Sequence, residues 1–560
     1  MFLMSLMDVT EKLEKIYSRD SIFHPAVSLK GMVSTQERLA TEAGVEVLME
    51  GGNAVDAAVT VALTLAVTLP NAGNIGGGGF MVMRLDGEVT VIDYRERAPL
   101  AADEGLFLGE DGKVDEMKPS RSFLSIGVPG TPAGLALALE RYGTITLKRA
   151  MEPAIRHAEN GFPVYPSLAA SLVGARELMQ RSPASMKVFF KEGGAPRMVG
   201  ETLVQRDLAR SLRELSTEGL DHFYSGKIGR EIVKYVQENG GIFTTDDLEV
   251  YEPTTREPVC GTYRGHEVYT MPPPSSGGVH LVQMLNILEG YPVGGMGQNT
   301  AEYIHLMSEV MKLAYHDRFM YLGDPDFVEV PVEGLTSKEY AEELRAHVNI
   351  ERSSPSTDDV PADPFGFESG ETTHFSVMDG EGNMVANTYT WALGFGSKFM
   401  APGTGILLNN EMGDFTAQVG YVDGSGMSGG ALNTIAPLKR PLSSMTPTLV
   451  TKGGEPFMVT GSVGGGRIIT GTLQVMMNVM DHGMNVAEAV SVPRFHHQWM
   501  PDELRLEKGF SGDTVRLLRE RGHEVAVRGA MGSSQSITFE EGVFYGASDP
   551  RTSSGLAKGL

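Results

Sequence analysis

Residues 372–391 read TTHFSVMDGEGNMVANTYTW. Two runs of β-branched, aromatic and apolar residues flank a turn at Asp379–Gly380, a pattern that predicts a hairpin. Immediately upstream, residues 350–371 (IERSSPSTDDVPADPFGFESGE) are rich in Ser, Pro, Asp and Glu and lack periodicity. That composition predicts an exposed flexible segment, either a linker or a place where the chain is cut. The two meet at Glu371–Thr372. A threonine opening a strand has an ordinary explanation in β-propensity. It also has a chemical one. If the bond before it is broken, the freed α-amine, with an ordinary pKa of about 7.7–8.0, can take the proton of the threonine's own hydroxyl and make it a nucleophile. The pattern alone leaves both open.

Outward from this stretch, residues 446–461 (TPTLVTKGGEPFMVTG) read as strand, glycine turn, strand, and residues 80–94 (FMVMRLDGEVTVIDY) as a hairpin turning at Asp86–Gly87. Residues 36–69 predict two helices broken at Gly51–Gly52, the second apolar nearly all round and therefore a core helix. Helical periodicity covers 147–160, 205–216, 227–239, 279–289 and 301–320, and returns from Arg467. Hairpins rather than alternating βαβ units point to an α+β protein whose antiparallel sheets are covered by helices.

The chain has 560 residues, 41% of them apolar, with 47 Lys+Arg against 71 Asp+Glu and a net charge of −24. This is the composition of a globular protein, and its acidity opposes nucleic acid and anionic membrane as partners. The single cysteine, Cys260, excludes an internal disulfide and a cysteine-built zinc site. No HExxH motif or calcium loop occurs, and adjacent His496 and His497 do not converge on one face, so no metal ligand set is expected. The run Gly76–Gly79 lacks the lysine of a phosphate loop, and no cofactor is expected. A GxSxG pattern at 426–430 lies in a Gly/Ser-rich stretch without a preceding strand and reads as loop. The start MFLMSLMDVTEKLEK has no basic region, and the apolar run 57–69 is interrupted by threonines. Neither a secretory signal nor a membrane span is expected, and the expected location is the cytoplasm, or outside it if the true start differs.

Long motifs then carry a resemblance. EGGNAVDAAVTVAL (50–63), NIGGGGFMV (74–82), DYRERAP (93–99), VPGTPAG (128–134), MPPPSSGGVHL (271–281), the stretch from Thr372, GILLNNEMGDF (405–415), KRPLSSMTPT (439–448), TGSVGGGRI (460–468), SVPRFHHQW (491–499) and YGASDPR (545–551) together resemble the γ-glutamyltranspeptidase (glutathione hydrolase) family of N-terminal-nucleophile hydrolases. The resemblance runs from about residue 27 to 551. It implies a four-layer αββα sandwich, with two antiparallel sheets flanked by helices. It implies self-cleavage between Glu371 and Thr372 into a large subunit, 1–371, and a small subunit, 372–560. Both would build one structural domain, as a heterodimer alone or further dimerised.

Thr372 would then be nucleophile and, through its amine, base. Thr390 would hydrogen-bond it, and Gly464 and Gly465 would form the oxyanion hole, where side-chain-free backbone lets amides face the developing charge. Arg95, Ser443 and Ser444 would hold the donor's α-carboxylate, while Glu411 and Asp414 would face its α-ammonium. Read without the resemblance, Arg95 is a surface charge and Asp414 a turn residue. The implied donors are glutathione and other γ-glutamyl compounds, and the acceptor is water or an amino acid or dipeptide. Ala392 departs from the pattern, since many relatives carry Asn there. Gly420–Ala431 has the place of the family's lid loop, with Tyr421 its nearest tyrosine. The competing readings are a glutaryl-type cephalosporin acylase and an unprocessed glutamate-binding protein.

Overall fold

The structure, a computed structural model, describes residues 21–356, 370–420 and 429–560. The readings of the amino terminus, of 357–369 and of the lid tip with Tyr421 fall outside the described residues. The expected hairpin forms from strands Gly370–Asp379 and Met384–Leu393, paired antiparallel. It lies in the interior of a seven-stranded sheet, between Gly31–Thr35 on one side and Gly78–Leu85 on the other. Leu556–Gly559 closes one edge, and Glu88–Tyr94 with Thr254–Arg256 the other. A second seven-stranded sheet runs in the order Ala26–Ser28, Val543–Ser548, Gln535–Glu540, Glu455–Thr460, Thr448–Lys452, His266–Thr270, Val259–Tyr263. Every pairing in both sheets is antiparallel.

Strands buried on both faces must send alternate side chains into different layers. Phe80, Val82, Met378, Met384 and Ala386 point into a core shared with Leu449, Val459 and Ile537 of the second sheet. Their neighbours Met81, Met83, Val377 and Val385 point the other way, into a core shared with helices Arg38–Met49 and Ala54–Thr68. Val450 and Met458 leave the second sheet on its far side and meet helices Gly277–Leu288, Ala301–Tyr321 and Arg467–Met480. Three apolar layers thus separate helix, sheet, sheet and helix, the αββα sandwich that the resemblance implied. Each sheet is built from strands on both sides of the Glu371–Thr372 junction, with those from after it pairing directly with those from before it.

The helices fall where periodicity placed them, to within a few residues. Ala54–Thr68 is buried along its whole length and starts at a capping box of Asn53 and Asp56. No described helix is long and apolar enough to cross a membrane.

One reading needs a partial correction. In the described part of the polar segment, 350–356, residues 350–352 and 355 are exposed as expected, but Ser353, Ser354 and Ser356 are tied down. Lys312, buried on the long helix, donates to Glu309 Oε1 (2.9 Å), Ser353 Oγ and the Ser354 carbonyl (both 2.7 Å). The Ser354 amide donates to Glu309 Oε2 at 3.0 Å, the Ser356 amide to Asp502 Oδ2 at 2.9 Å, and the Ser353 amide to the Arg521 carbonyl at 2.7 Å. The segment's polarity satisfies a buried ion pair, a role that composition cannot reveal. Lys312→Met would strand the Glu309 carboxylate without its cation. We expect this to cost about 3–5 kcal/mol in urea unfolding and to raise hydrogen exchange selectively in 350–356.

Candidate active site

Thr372 and Thr390 are register partners on the two strands of the central hairpin. Their hydroxyl oxygens lie 3.3 Å apart, and both residues are buried. The Ala392 amide donates to Thr390 Oγ1 at 3.1 Å. Thr390 can therefore accept from Ala392 and give its own proton toward Thr372 Oγ1. Thr372 shares its strand face with His374, Ser376 and Met378, the face turned to the second sheet. His374 bonds Thr388 Oγ1 (2.8 Å) and Ser376 Oγ (3.1 Å), and burial pulls its pKa down to about 3. It is a neutral spacer whose ring nitrogens are already engaged away from Thr372.

The Gly76–Gly79 run explains how the hairpin is held. A Cβ at Gly77 would stand 2.2 Å from the Thr390 carbonyl oxygen, and one at Gly79 2.3 Å from Tyr389 Cβ. Backbone lies against backbone there, as only glycine permits. Asn74 completes the support, its Nδ2 donating to the Thr390 carbonyl at 2.7 Å and its Oδ1 accepting from the Gly77 amide at 3.0 Å.

Gly464 and Gly465 adopt φ of 120° and 60°, in the left-handed region that favours glycine, just before helix Arg467–Met480. Among the described residues neither amide donates to a protein acceptor, while the Gly464 carbonyl is held by Arg467 Nε at 3.1 Å. Tyr315 OH anchors the Gly466 carbonyl. Two N–H groups without a protein acceptor, just ahead of a helix, have the chemistry to receive an anion.

Arg95 is entirely buried, which corrects its reading as a surface charge. Its Nη1 pairs with Glu411 Oε1, its Nη2 with Asp414 Oδ2 at 2.6 Å, and its Nε donates to the Pro441 carbonyl at 3.2 Å. Burial alone would weaken its charge, but Glu411, Asp414 and Glu96 more than compensate and hold the guanidinium firmly protonated. Burial drives the Glu411 carboxyl well above the usual carboxylate range despite Arg95, with Glu96 and Asp414 adding to the rise. The turn Glu411–Asp414 is tied to the hairpin because the Asn410 amide donates to the Trp391 carbonyl (3.1 Å) and the Leu393 amide to Asn410 Oδ1 (3.2 Å). Ala392 sits between these two bonds with φ of 72°.

Ser443 and Ser444 follow Pro441 by two and three residues. Ser276 Oγ donates to the Ser443 carbonyl at 2.8 Å, and Arg318 reaches both Ser276 Oγ (3.0 Å) and Ser444 Oγ (3.4 Å). The paired threonines, the acidic turn and Arg95 thus form one connected unit, and Pro441 ties the serine segment to it. Sequence reasoning missed the supports Asn74, Arg318 and Tyr315, and also Glu96, whose only signal was its place inside DYRERAP.

A second polar cluster lies apart, where His305 Nδ1 and His523 Nε2 are 2.8 Å apart beside Glu309. His305 Nε2 bonds the Asn349 carbonyl, and both Glu309 oxygens are engaged by Lys312 and Ser354. This cluster holds the 349–356 segment. His496 and His497 bond separate partners, Thr470 with Gln498 and Asp502 respectively.

An αββα sandwich that presents a strand-borne hydroxyl between its sheets is the architecture of the N-terminal-nucleophile hydrolases. Within that class the chain belongs to the gamma-glutamyltranspeptidase family, whose profile matches residues 40–559. It is 49% identical over 543 residues to the glutathione hydrolase proenzyme of Escherichia coli (strain K12), covering 96% of this chain and 93% of that one. It is 39% identical over 534 residues to the Acylase ACY 1 proenzyme of Pseudomonas sp. (strain SE83), covering 93% and 92%. The crystal structure of a cephalosporin acylase from Bacillus halodurans superposes with a TM-score of 0.85 at 30% identity, covering 97% of this chain and 98% of that one.

The Gly464 geometry makes a prediction. Gly464→Ala puts a side chain at a φ of 120° and displaces the amides. We expect kcat to fall about 10²–10³-fold, as for loss of an oxyanion donor, with the far-UV circular dichroism unchanged. Unchanged kcat would remove these amides from the chemistry.

Proposed function

We propose that this enzyme is a self-cleaving γ-glutamyl hydrolase and transferase acting on glutathione and related γ-glutamyl amides, with hydrolysis favoured. In maturation, Thr372 Oγ adds to the Glu371 carbonyl and the Thr372 nitrogen departs, leaving an ester that water hydrolyses. The products are residues 1–371 and 372–560, which stay together as large and small subunits. The freed Thr372 amine, with an ordinary pKa near neutrality, then takes the hydroxyl proton as Oγ attacks the donor's γ-carbonyl. The Thr390 hydroxyl steadies the oxygen losing its proton. The Gly464 and Gly465 amides receive the oxyanion. The amine leaving group departs with a proton, and the γ-glutamyl ester on Thr372 passes to water or to an amino acid or dipeptide acceptor.

The observation that carries the donor assignment is Arg95 held between Glu411 and Asp414. An amino-acid head group bears the opposite pair of charges. Its carboxylate replaces the acids on Arg95, assisted by Ser443 and Ser444, and its ammonium replaces Arg95 on the acids. A glutaryl group would occupy Arg95 and leave the acids without a cation, at a desolvation cost that opposes it. The acylase reading keeps one supporting observation. Glu411 is driven toward its neutral form, in which it tolerates an uncharged neighbour.

Intact-mass analysis after maturation at neutral pH tests the proposal. Wild-type chain should give two fragments, the smaller beginning at Thr372, and should release p-nitroaniline from γ-glutamyl-p-nitroanilide much faster than from its glutaryl counterpart. Thr372→Ala should stay whole and inactive. One uncut species in both samples would leave a glutamate-binding protein, and a reversed donor preference would make the chain an acylase.

A further inference from the structure

The amides of Gly464 and Gly465 belong to two successive peptide planes, 463–464 and 464–465. Both peptides are trans, so in each the N–H points away from the carbonyl of the preceding residue. Whatever fixes the Val463 carbonyl therefore aims the Gly464 N–H, and whatever fixes the Gly464 carbonyl aims the Gly465 N–H. Both glycines sit at positive φ, where backbone without a side chain has wide freedom. Two aimed donors on such a segment need holders.

The Gly464 carbonyl is held by one residue twice over. Arg467 reaches back to it with its side-chain Nε at 3.1 Å and with its own amide at 3.3 Å. The Val463 carbonyl is held by packing instead. A Cβ at Gly532 would stand 2.4 Å from the Val463 oxygen, and one at Gly464 would stand 3.2 Å from Gly532 Cα. Gly532, at a φ of 71°, thus lies flush against the first plane. Tyr315 anchors the Gly466 carbonyl, but the N–H of that peptide belongs to Arg467 and is already spent on Gly464. Of the two planes that carry the paired amides, Arg467 grips one and Gly532 backs the other.

A guanidinium does more than hold. It is not deprotonated in proteins, and a charge-assisted hydrogen bond is roughly twice as strong as a neutral one. A cationic donor on the carbonyl also polarises the peptide and makes its N–H a stronger donor in turn. We infer that Arg467 is a positioning residue of the reaction, which aims and polarises the Gly465 N–H through the Gly464 carbonyl, with Gly532 fixing the Gly464 N–H. The inference rests on the assignment of these amides to the oxyanion above. Charge on that oxygen develops only as Thr372 attacks, so losing the aim costs turnover and leaves ground-state binding alone.

The test is Arg467→Met, with Arg467→Lys as the charge-retaining rescue. In the matured Arg467→Met protein, kcat on γ-glutamyl-p-nitroanilide should fall about tenfold to a hundredfold, with the KM and the affinity for L-glutamate changed less than about threefold. A boronic-acid analogue of the donor, whose tetrahedral adduct with Thr372 Oγ is an anion, should lose affinity by a similar factor. Arg467→Lys should recover part of both losses, and Gly532→Ala should lower kcat through the other plane. A merely structural role would weaken L-glutamate and the boronic acid together. That outcome, or an unchanged kcat, overturns the inference. If Arg467→Met stays uncut, Arg467→Ala supplied with guanidinium ion decides, read by intact mass and by turnover. Restored cleavage and turnover support the inference, and absence of rescue overturns it. A wild-type chain inactive on the γ-glutamyl donor would instead sink the functional reading itself.

Discussion

The backbone at Gly77 approaches the Thr390 carbonyl so closely that a methyl group would stand 2.2 Å from its oxygen. Much of the site depends on that contact. It presses the strand Gly78–Leu85 onto the hairpin, sets Thr390 in register with Thr372, and makes room at Gly78 for the Glu96 carboxylate. A glycine run that looks like a phosphate loop in one dimension is a packing device in three. It buys proximity between two strands and, through them, between two hydroxyl groups.

Charge is arranged by the same economy of space. The guanidinium of Arg95 is fully buried, and burial of a cation is tolerable only when it is paired. Glu411 and Asp414 supply the pair, so on the proposed function the pocket carries, in its own side chains, an image of the group it would receive. On that reading, binding would be an exchange of ion pairs rather than the creation of one. The pocket's own charges incur no fresh desolvation cost on that exchange, because they are already buried in the pairs they make now.

Much of this was legible in the sequence, for definite reasons. The helix Ala54–Thr68 and the hairpins announce themselves through local periodicity and turn residues. The layer order followed only from the resemblance, because alternation such as Met81–Val82–Met83 states that two faces are buried but not against what. Arg95 was misread because a lone charged residue at a strand end usually meets water. Its partners lie more than 300 residues away in the chain. The segment 350–356 was misread in part for the mirror-image reason, since its serines are bonded to Lys312, Glu309 and Asp502 although its other residues are exposed. Glu96 escaped notice because its burial against Arg95 without a hydrogen bond is something that only coordinates disclose.

The interleaving of strands across the Glu371–Thr372 junction reaches beyond catalysis. Thr372–Asp379 lies between Gly31–Thr35 and Met384–Leu393, and Thr448–Lys452 lies between His266–Thr270 and Glu455–Thr460. On the proposed cleavage the chain loses the connection under which these strands found one another, yet neither piece can leave without dismantling both sheets. Folding of the precursor is a first-order event, whereas recovery of the cut protein from the unfolded state is a second-order encounter between two incomplete chains. Maturation therefore acts as a kinetic ratchet. The molecule is assembled once under the high effective concentration of a single chain and afterwards persists on the slowness of its unfolding, so its lifetime is set by a barrier rather than by an equilibrium.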